Sequence, residues 1–277
     1  MKRKSLYKIW LFTIAFFITG NLFAQDTLRV LSYNILEGMK TDTTKGKTVF
    51  VNWIKKQNPD ILALQECNKF TEESLNQLAR SFGHPYSIIV KLKGYPVGLT
   101  SKYPILNAEK INETMTHGFI VANVLKYNIL VAHLNPHNYE KRREEIGIIL
   151  HKIKDSNQKK NWILMGDLNS LSPLDRINYA DGVYLNRLIE NEKKHANHHN
   201  LEDGKYLDFE VQQKILDSGL IDAMKSLPTG NDFKSTRIDY IYLSKNLRSS
   251  LEHCKFIYDD FTKKHSDHRP ILMKLRK

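Results

Sequence analysis

The chain has 277 residues, a formal net charge of +12 and two cysteines, Cys67 and Cys254. Two cysteines are too few for a disulfide-stapled scaffold or a cysteine-ligated zinc site, and without a Pro/Gly/Ser-rich linker, low-complexity tract or internal repeat, one domain is favoured over two. The basic balance suits anionic partners such as nucleic acid, phosphorylated lipids or phosphosugars, but lysines that only solvate the surface give the same balance, so charge does not choose the substrate.

The first segment reads as an export signal. Lys2, Arg3, Lys4 and Lys8 form a basic start, residues 9–20 are an uncharged apolar run, and Ala24 supplies a small residue at a cleavage point before Gln25. The competing reading is a retained membrane anchor, but the uncharged stretch 9–25 is only at the lower limit for spanning about 30 Å of hydrocarbon. Cleavage is therefore expected, with residues 1–24 as signal peptide and 25–277 as a secreted or periplasmic domain that does not stay in the membrane. Losing those four cations lowers the formal charge from +12 to +8, so the mature chain remains basic. An oxidising compartment permits a Cys67–Cys254 bridge, and spacing alone leaves that pairing open.

Residues 28–35 alternate in the period of a half-buried strand and end near Asn34. Val49, Phe50, Trp53 and Ile54 then give one apolar helix face, which Asn58-Pro59 terminates because proline disfavours helical geometry before it. A short apolar strand over 61–64 leads into Gln65-Glu66, and Phe70, Leu75, Leu78, Ala79 and Phe82 mark a second helix. A strand over 128–132 leads to His133, a helix carries Ile146, Ile149, Leu150 and Ile153, and a strand over 162–165 leads to Gly166-Asp167. Between 170 and 234 the pattern weakens into turns, interrupted by a helix over 209–218, before strands over 239–243, 253–258 and 271–275. Such a mixture predicts sheets packed on one another with helices outside.

Polar side chains stand where several apolar runs stop, and strand ends of this kind can converge at one rim of a sheet. Asn34, Glu66, His133, Asp167, Asn169, Asp239, Asp267 and His268 fit that description. Any one of them is ordinarily a solvated turn residue or a satisfied histidine; their number and order argue for a site.

Six short motifs carry a resemblance: Ser32-Tyr33-Asn34-Ile35, Leu64-Gln65-Glu66, Ala132-His133-Leu134, Gly166-Asp167-Leu168-Asn169, Arg237-Ile238-Asp239-Tyr240 and Ser266-Asp267-His268-Arg269-Pro270. In this order they resemble the successive motifs of the endonuclease/exonuclease/phosphatase superfamily. The resemblance spans essentially the whole mature chain and implies a four-layer α/β sandwich of two facing mixed sheets flanked by helices. It also implies a hydrolase of phosphoester bonds. Glu66 would be the principal ligand of Mg²⁺, with Mn²⁺ or Ca²⁺ as alternatives, and Asn34 and Asp267 would lie nearby, since hard cations take oxygen donors. Asp167 would orient or deprotonate the attacking water, and Asn169 would bond a phosphate oxygen or the water. His268, backed by Asp239, and His133 would serve the phosphate, with either Asp167 or a histidine as the base. A histidine in the third motif is more like the pancreatic-type deoxyribonucleases, neutral sphingomyelinases and inositol-phosphate phosphatases than the abasic-site repair nucleases.

The expected partner is an anionic phosphoester acted on by a monomer. Nucleic acid, a phospholipid headgroup and a small phosphoester all fit, and a non-catalytic binding protein is the reading from another class. Arg142 and Arg143 read as the capping network of their helix rather than as substrate contacts. Tyr95 and His117 are minor candidates for the cleft. The histidines between 195 and 199 invite a transition-metal reading, but read better as a solvated basic loop, having no acidic or cysteine partners.

Overall fold

The computed structural model describes residues 27–156, 160–228 and 235–277; the expected export signal lies outside them. One six-stranded sheet runs in the order β13(Leu251–Phe256), β14(Ile271–Arg276), β1(Thr27–Asn34), β2(Ile61–Gln65), β4(Gly98–Ser101), β3(Tyr86–Ile89). The other runs β11(Leu220–Asp222), β12(Asp239–Ser244), β8(Trp162–Asp167), β7(Tyr127–His133), β6(Phe119–Val124), β5(Ile105–Ile111). A small hairpin, β9(Leu201–Glu202) and β10(Tyr206–Leu207), stands apart. Each large sheet is mixed: β1 pairs parallel to β2 and β7 parallel to β8, while the other neighbours are antiparallel.

The period of two along each strand sorts side chains into layers. Leu28 and Val30 of β1, Ile129 and Val131 of β7, Ile163 and Met165 of β8, and Ile241 and Leu243 of β12 meet between the sheets. The opposite parity faces outward. Leu31, Tyr33, Leu62 and Leu64 pack on Phe50, Trp53 and Ile54 of the Thr48–Gln57 helix and on Leu75 and Leu78 of the Glu72–Ser81 helix. Leu130, Ala132, Leu164, Tyr240 and Tyr242 pack on Ile146 and Ile149 of the Tyr139–Asp155 helix and on Val211 and Ile215 of the Glu210–Asp217 helix. The result is the four-layer α/β sandwich. Each side chain fully buried in it contributes about 1.5–3 kcal/mol, so the strand ends project from a rigid frame.

Local signals set the helix ends. Thr71 and Ser74 form a reciprocal capping box at the second helix. Asn58, φ +49, ends the first helix by donating its N–H to the Ile54 carbonyl ahead of Pro59. Val49, expected on that helix's apolar face, is 40% exposed: it lies in the first turn, rotated away from the sheet. The strand expected over 253–258 is β13(Leu251–Phe256): it starts earlier, with an irregularity between Leu251 and His253, and its pairing stops where the partner strand begins at Ile271 after Pro270, which leaves Tyr258 outside. Among the described residues no helix is long and apolar enough to cross a membrane.

Candidate active site

Extending the same period to the strand ends builds the site. Asn34, His133, Asp167 and Asp239 share the parity of the inter-sheet side chains: His133, Asp167 and Asp239 lie one step beyond the last apolar position, and Asn34 two steps beyond Val30, past the buried Ser32. Register aligns them: His133 lies opposite Asp167 across β7 and β8, and Asp239 opposite Asp167 across β8 and β12. Each is almost wholly buried, so each needs a polar partner.

Asp167 is the hub. Its Oδ2 accepts from Asn34 Nδ2 at 3.0 Å and lies 3.5 Å from His133 Nε2 and 3.7 Å from His268 Nε2. Its Oδ1 accepts the Asn169 N–H at 3.0 Å, while Asn169 Nδ2 donates to the Leu134 carbonyl at 3.1 Å. Burial pushes the Asp167 carboxyl up, away from the ordinary carboxylate range, and the Asp239 charge adds to this against the pull of His268. Burial works the other way on His268, but the carboxylates of Asp239, Asp167 and Asp267 outweigh it and raise the imidazole to about 10. Asp239 Oδ2 accepts from His268 Nδ1 at 2.8 Å, which turns Nε2 toward the cleft. His133 is buried without such a partner and is held well below the ordinary histidine range, first by desolvation and then by His117 and His268. The site therefore holds one charged and one neutral imidazole around a carboxylate with raised proton affinity.

Glu66 is positioned by an unusual turn. Residues Leu36, Glu37, Gly38 and Met39 all have positive φ, and the Gly38 N–H donates to the Glu66 carbonyl at 2.7 Å. A Cβ on Gly38 would lie 2.3 Å from the Asn68 carbonyl oxygen, so only glycine fits there. This turn aims the Glu37 N–H at Glu66 Oε2, 2.8 Å, while Asn34 Nδ2 reaches Oε1 at 3.1 Å. Asn34 thus bridges the two carboxylates through its nitrogen, and its Oδ1 takes the Leu36 N–H at 3.1 Å. Asp267 is exposed at the rim, lining with His268, Asp239, Tyr184 and Tyr258 a cleft of about 470 Å³.

The oxygen donors suit a hard cation. Glu66 is fixed by two N–H donors with no ion pair to a cation, and Asp267 has no hydrogen-bond or ion-pair partner among the described residues. Asp167, Asp239 and His268 also have ligand atoms within 4.8 Å of one another. There, however, the positively charged His268 ring offsets one of the two carboxylates and repels a cation, so the acidic rim of Glu66 and Asp267, with no such neighbour in hydrogen-bond or ion-pair contact, is the better cation seat.

His117 stacks on His133 with ring centroids 4.3 Å apart, and Tyr95 meets His117 edge-on at 5.5 Å, so both minor candidates adjoin the site. Arg143 is spent on Asp208, Glu202 and Glu210. His137, His198 and His195 stack in series on the surface, and no metal-ligating group of three forms there among the described residues. Two supports were assigned no role from the sequence, although Ser266 stands in the last motif. Ser266 Oγ donates to the Asn34 carbonyl at 2.8 Å and accepts the His268 N–H at 3.0 Å, joining two motifs; the buried Glu145 accepts the N–H groups of Thr116 and Asn135 at 2.6 and 2.8 Å, fixing the loops beside His117 and His133. A carboxylate on the apolar face of a helix is the one local sign that could have flagged Glu145.

The sequence profile described as "Endonuclease/Exonuclease/phosphatase family" matches residues 31–268. Among curated proteins no significant match is found. Similar solved structures include an AP endonuclease from Archaeoglobus fulgidus, TM-score 0.64 at 16% identity, covering 89% of this chain and 98% of that one. A 3′ phosphatase from Neisseria, bound to product DNA hairpin, gives 0.62 at 16% identity, covering 90% and 99%. An endonuclease/exonuclease/phosphatase from Beutenbergia cavernae gives 0.60 at 16% identity, covering 90% and 71%. At this identity the likeness is one of fold.

Proposed function

Since the chain belongs to the endonuclease/exonuclease/phosphatase family, we propose that it is an exported, divalent-metal-dependent hydrolase of phosphoester bonds. The observation that carries this reading is the convergence on Asp167 Oδ2 of Asn34, His133 and His268, with Glu66 held by the same Asn34 amide. A base, a cation over a phosphate-sized space and a carboxylate-rich rim are the parts that phosphoester hydrolysis needs.

Glu66 and Asp267, with Asn34 beside them, would hold Mg²⁺, Mn²⁺ or Ca²⁺, and the ion would neutralise charge building on the phosphate oxygens. The remaining work falls to side chains. Asp167, its proton affinity raised by burial, accepts a proton from the attacking water as the water oxygen bonds to phosphorus and the ester phosphorus–oxygen bond breaks, the departing oxygen taking a proton from solvent. His268 directs a charged N–H to a phosphate oxygen, with Asp239 fixing its ring. His133, neutral, offers a second imidazole. The basic start and apolar run of residues 1–24 support export, which the N-terminal sequence of the mature protein checks.

A second reading, nuclease, is favoured by one feature of the cleft. Tyr184 and Tyr258 line it, with Arg187 over the first ring at 4.5 Å and Arg269 over the second at 5.9 Å, and such aromatic and cationic walls suit stacked bases. The test is a panel of DNA, RNA, sphingomyelin, sugar and inositol phosphates and an aryl phosphodiester, each with Mg²⁺, Mn²⁺, Ca²⁺ or chelator. Metal-dependent cleavage of at least one ester, abolished in Glu66→Ala, is expected; no cleavage of any would overturn the proposal. A nuclease would lose affinity steeply with salt.

A further inference from the structure

The outer face of the first sheet carries a second charged feature, apart from Asp167. Parity turns Arg29 of β1, Lys274 of β14, and His253 and Lys255 of β13 away from the neighbouring Val30, Met273 and Cys254, which point between the sheets. Register sets three of them in one row: Arg29 lies opposite Lys274, and Lys274 opposite His253. Paired strands are only about 4.8 Å apart, and like charges facing one another across a pair oppose folding. With Lys255 at the next position on the same face, they wall a groove of about 530 Å³ that Tyr258 and Leu272 help to line.

Nothing in the fold neutralises this row. The side chains of His253, Lys255 and Lys274 make no hydrogen bond or ion pair among the described residues. Arg29 gives its Nε and Nη2 to the Gln57 carbonyl, 3.1 and 2.5 Å, at the end of the Thr48–Gln57 helix, whose last turn adds the cations Lys55 and Lys56. Carboxylates on the adjoining segments are committed elsewhere: Asp60 to Lys102 and the Arg29 backbone N–H, Asp259 to the Trp53 indole and the Thr262 N–H. Glu252 is exposed at the irregularity of β13 and does not line the groove. The proton affinity of His253 is accordingly lowered, by burial first and then by Lys255, Lys274 and Arg29. Edge strands often carry lysine to block pairing with another chain, which accounts for Lys255 on β13. It does not account for Lys274 and Arg29, one and two strands in from that edge.

A carboxylate would offset one cation of the row. A phosphate group carries close to two negative charges at neutral pH and several acceptor oxygens, so it answers two neighbouring cations and takes an imidazole N–H as well. We propose that the groove on β1, β14 and β13 is a phosphate-binding site outside the catalytic cleft, holding the anion on Lys274, Lys255 and His253, with Tyr258 and Leu272 beside any organic substituent. Phe256 and Tyr258 line both groove and cleft, so the two adjoin, but they share none of their charged groups. The site takes part in no bond breaking and does not rest on the hydrolase reading. Free phosphate and the phosphate of a lipid headgroup present the same chemistry to it, and experiment separates these sources.

The test uses the whole protein with chelator, so that nothing turns over. The His253 ring signals are followed by NMR as inorganic phosphate is added at constant ionic strength, with chloride as the comparison. Phosphate should give a saturable shift and raise the His253 pKa, because a bound anion counters the surrounding cations; chloride should do neither. Lys255→Gln and Lys274→Gln should each weaken phosphate binding about tenfold, the worth of one charged hydrogen bond, while His268→Ala, in the cleft, should leave the His253 response unchanged. Identical effects of phosphate and chloride would mean simple screening of a solvated patch and would overturn the proposal. A response that disappears in His268→Ala would put the anion in the cleft and overturn it too. The comparison of the two anions on wild type decides the matter even where a variant fails to fold. Vesicles of phosphatidylcholine with and without phosphatidic acid identify the source: capture that needs phosphatidic acid and is lost in Lys274→Gln assigns the site to a lipid headgroup, and phosphate binding without capture assigns it to free phosphate. Failure to hydrolyse any ester would leave these results as they are, so the two readings fall separately.

Discussion

His268 lies between two carboxylates that do different work. Asp239, at 2.8 Å from Nδ1, is close enough for a charge-assisted hydrogen bond, whereas Asp167, at 3.7 Å from Nε2, is beyond one and acts through charge. Removing Asp239 should therefore free the ring and lower its proton affinity together. His268→Ala is expected to reduce kcat/KM by about 10²–10⁴-fold, the usual worth of a proton-handling group, and Asp239→Asn by less. The sign of the pH effect follows from the raised value of about 10: in wild type the imidazolium persists across neutral pH and is lost as pH rises toward that value. In Asp239→Asn it is lost at lower pH, so the alkaline limb of kcat/KM should shift acidward. Limbs that coincide in the two proteins would remove Asp239 from the positioning role.

At the scale of the elements, β7 and β8 approach so closely at their ends that Gly166, φ +145, has room for no side chain: a Cβ would lie 1.9 Å from the Ala132 carbonyl oxygen. That approach sets Asp167 beside His133. Gly166→Ala should cost about 3 kcal/mol or more, from backbone strain plus forced separation of the strands, and should also depress activity in the folded fraction. A urea midpoint equal to wild type would contradict the close packing. The period of two exposed β1, β2, β7, β8, β12 and β14 in the sequence because each buries both faces or alternates cleanly, and the polar residues at or beside their ends are most of those that the structure brings together in the candidate site. The rest gave a weaker periodic signal. β3 and β4 have four residues each, β5 is largely exposed at a sheet edge, and the Val183–Lys194 helix has only a short stripe of Leu185, Leu188 and Ile189, none of them fully buried. Ser266 stood in the last motif, but its role was hidden for another reason: its bond to the Asn34 carbonyl joins positions 232 apart, which no local pattern records.

Across the whole molecule, the three cores keep the two cysteines apart. Cys67 lies under the first sheet with the outer helices, Cys254 between the sheets, and both are free. Burial raises both thiols far above their ordinary range, leaving little reactive thiolate. A thiol reagent should modify neither in the native protein and both after unfolding; a disulfide-linked peptide in the mature protein would refute this arrangement. The same burial shapes stability against pH. His84 is wholly enclosed, bonded through Nε2 to the Pro59 carbonyl and through Nδ1 to the Thr100 hydroxyl, both at 2.8 Å. Since a carbonyl only accepts, Nε2 carries the proton and Nδ1 accepts from Thr100, which satisfies the neutral ring completely. Desolvation holds its pKa near 4, against 6.5 when unfolded. Between these values the unfolded chain binds a proton that the folded chain refuses. The contribution of His84 is thus fully present above pH 6.5 and is lost as pH falls toward 4, by on the order of 3 kcal/mol. Asp167, whose carboxyl is raised, pulls the opposite way over part of that window, so the total curve alone does not isolate His84. The difference between wild type and His84→Gln does, because every other group cancels. Urea unfolding of both proteins from pH 7 to pH 4 should show wild type losing more stability than the variant; parallel losses would mean that His84 is not held neutral by its burial.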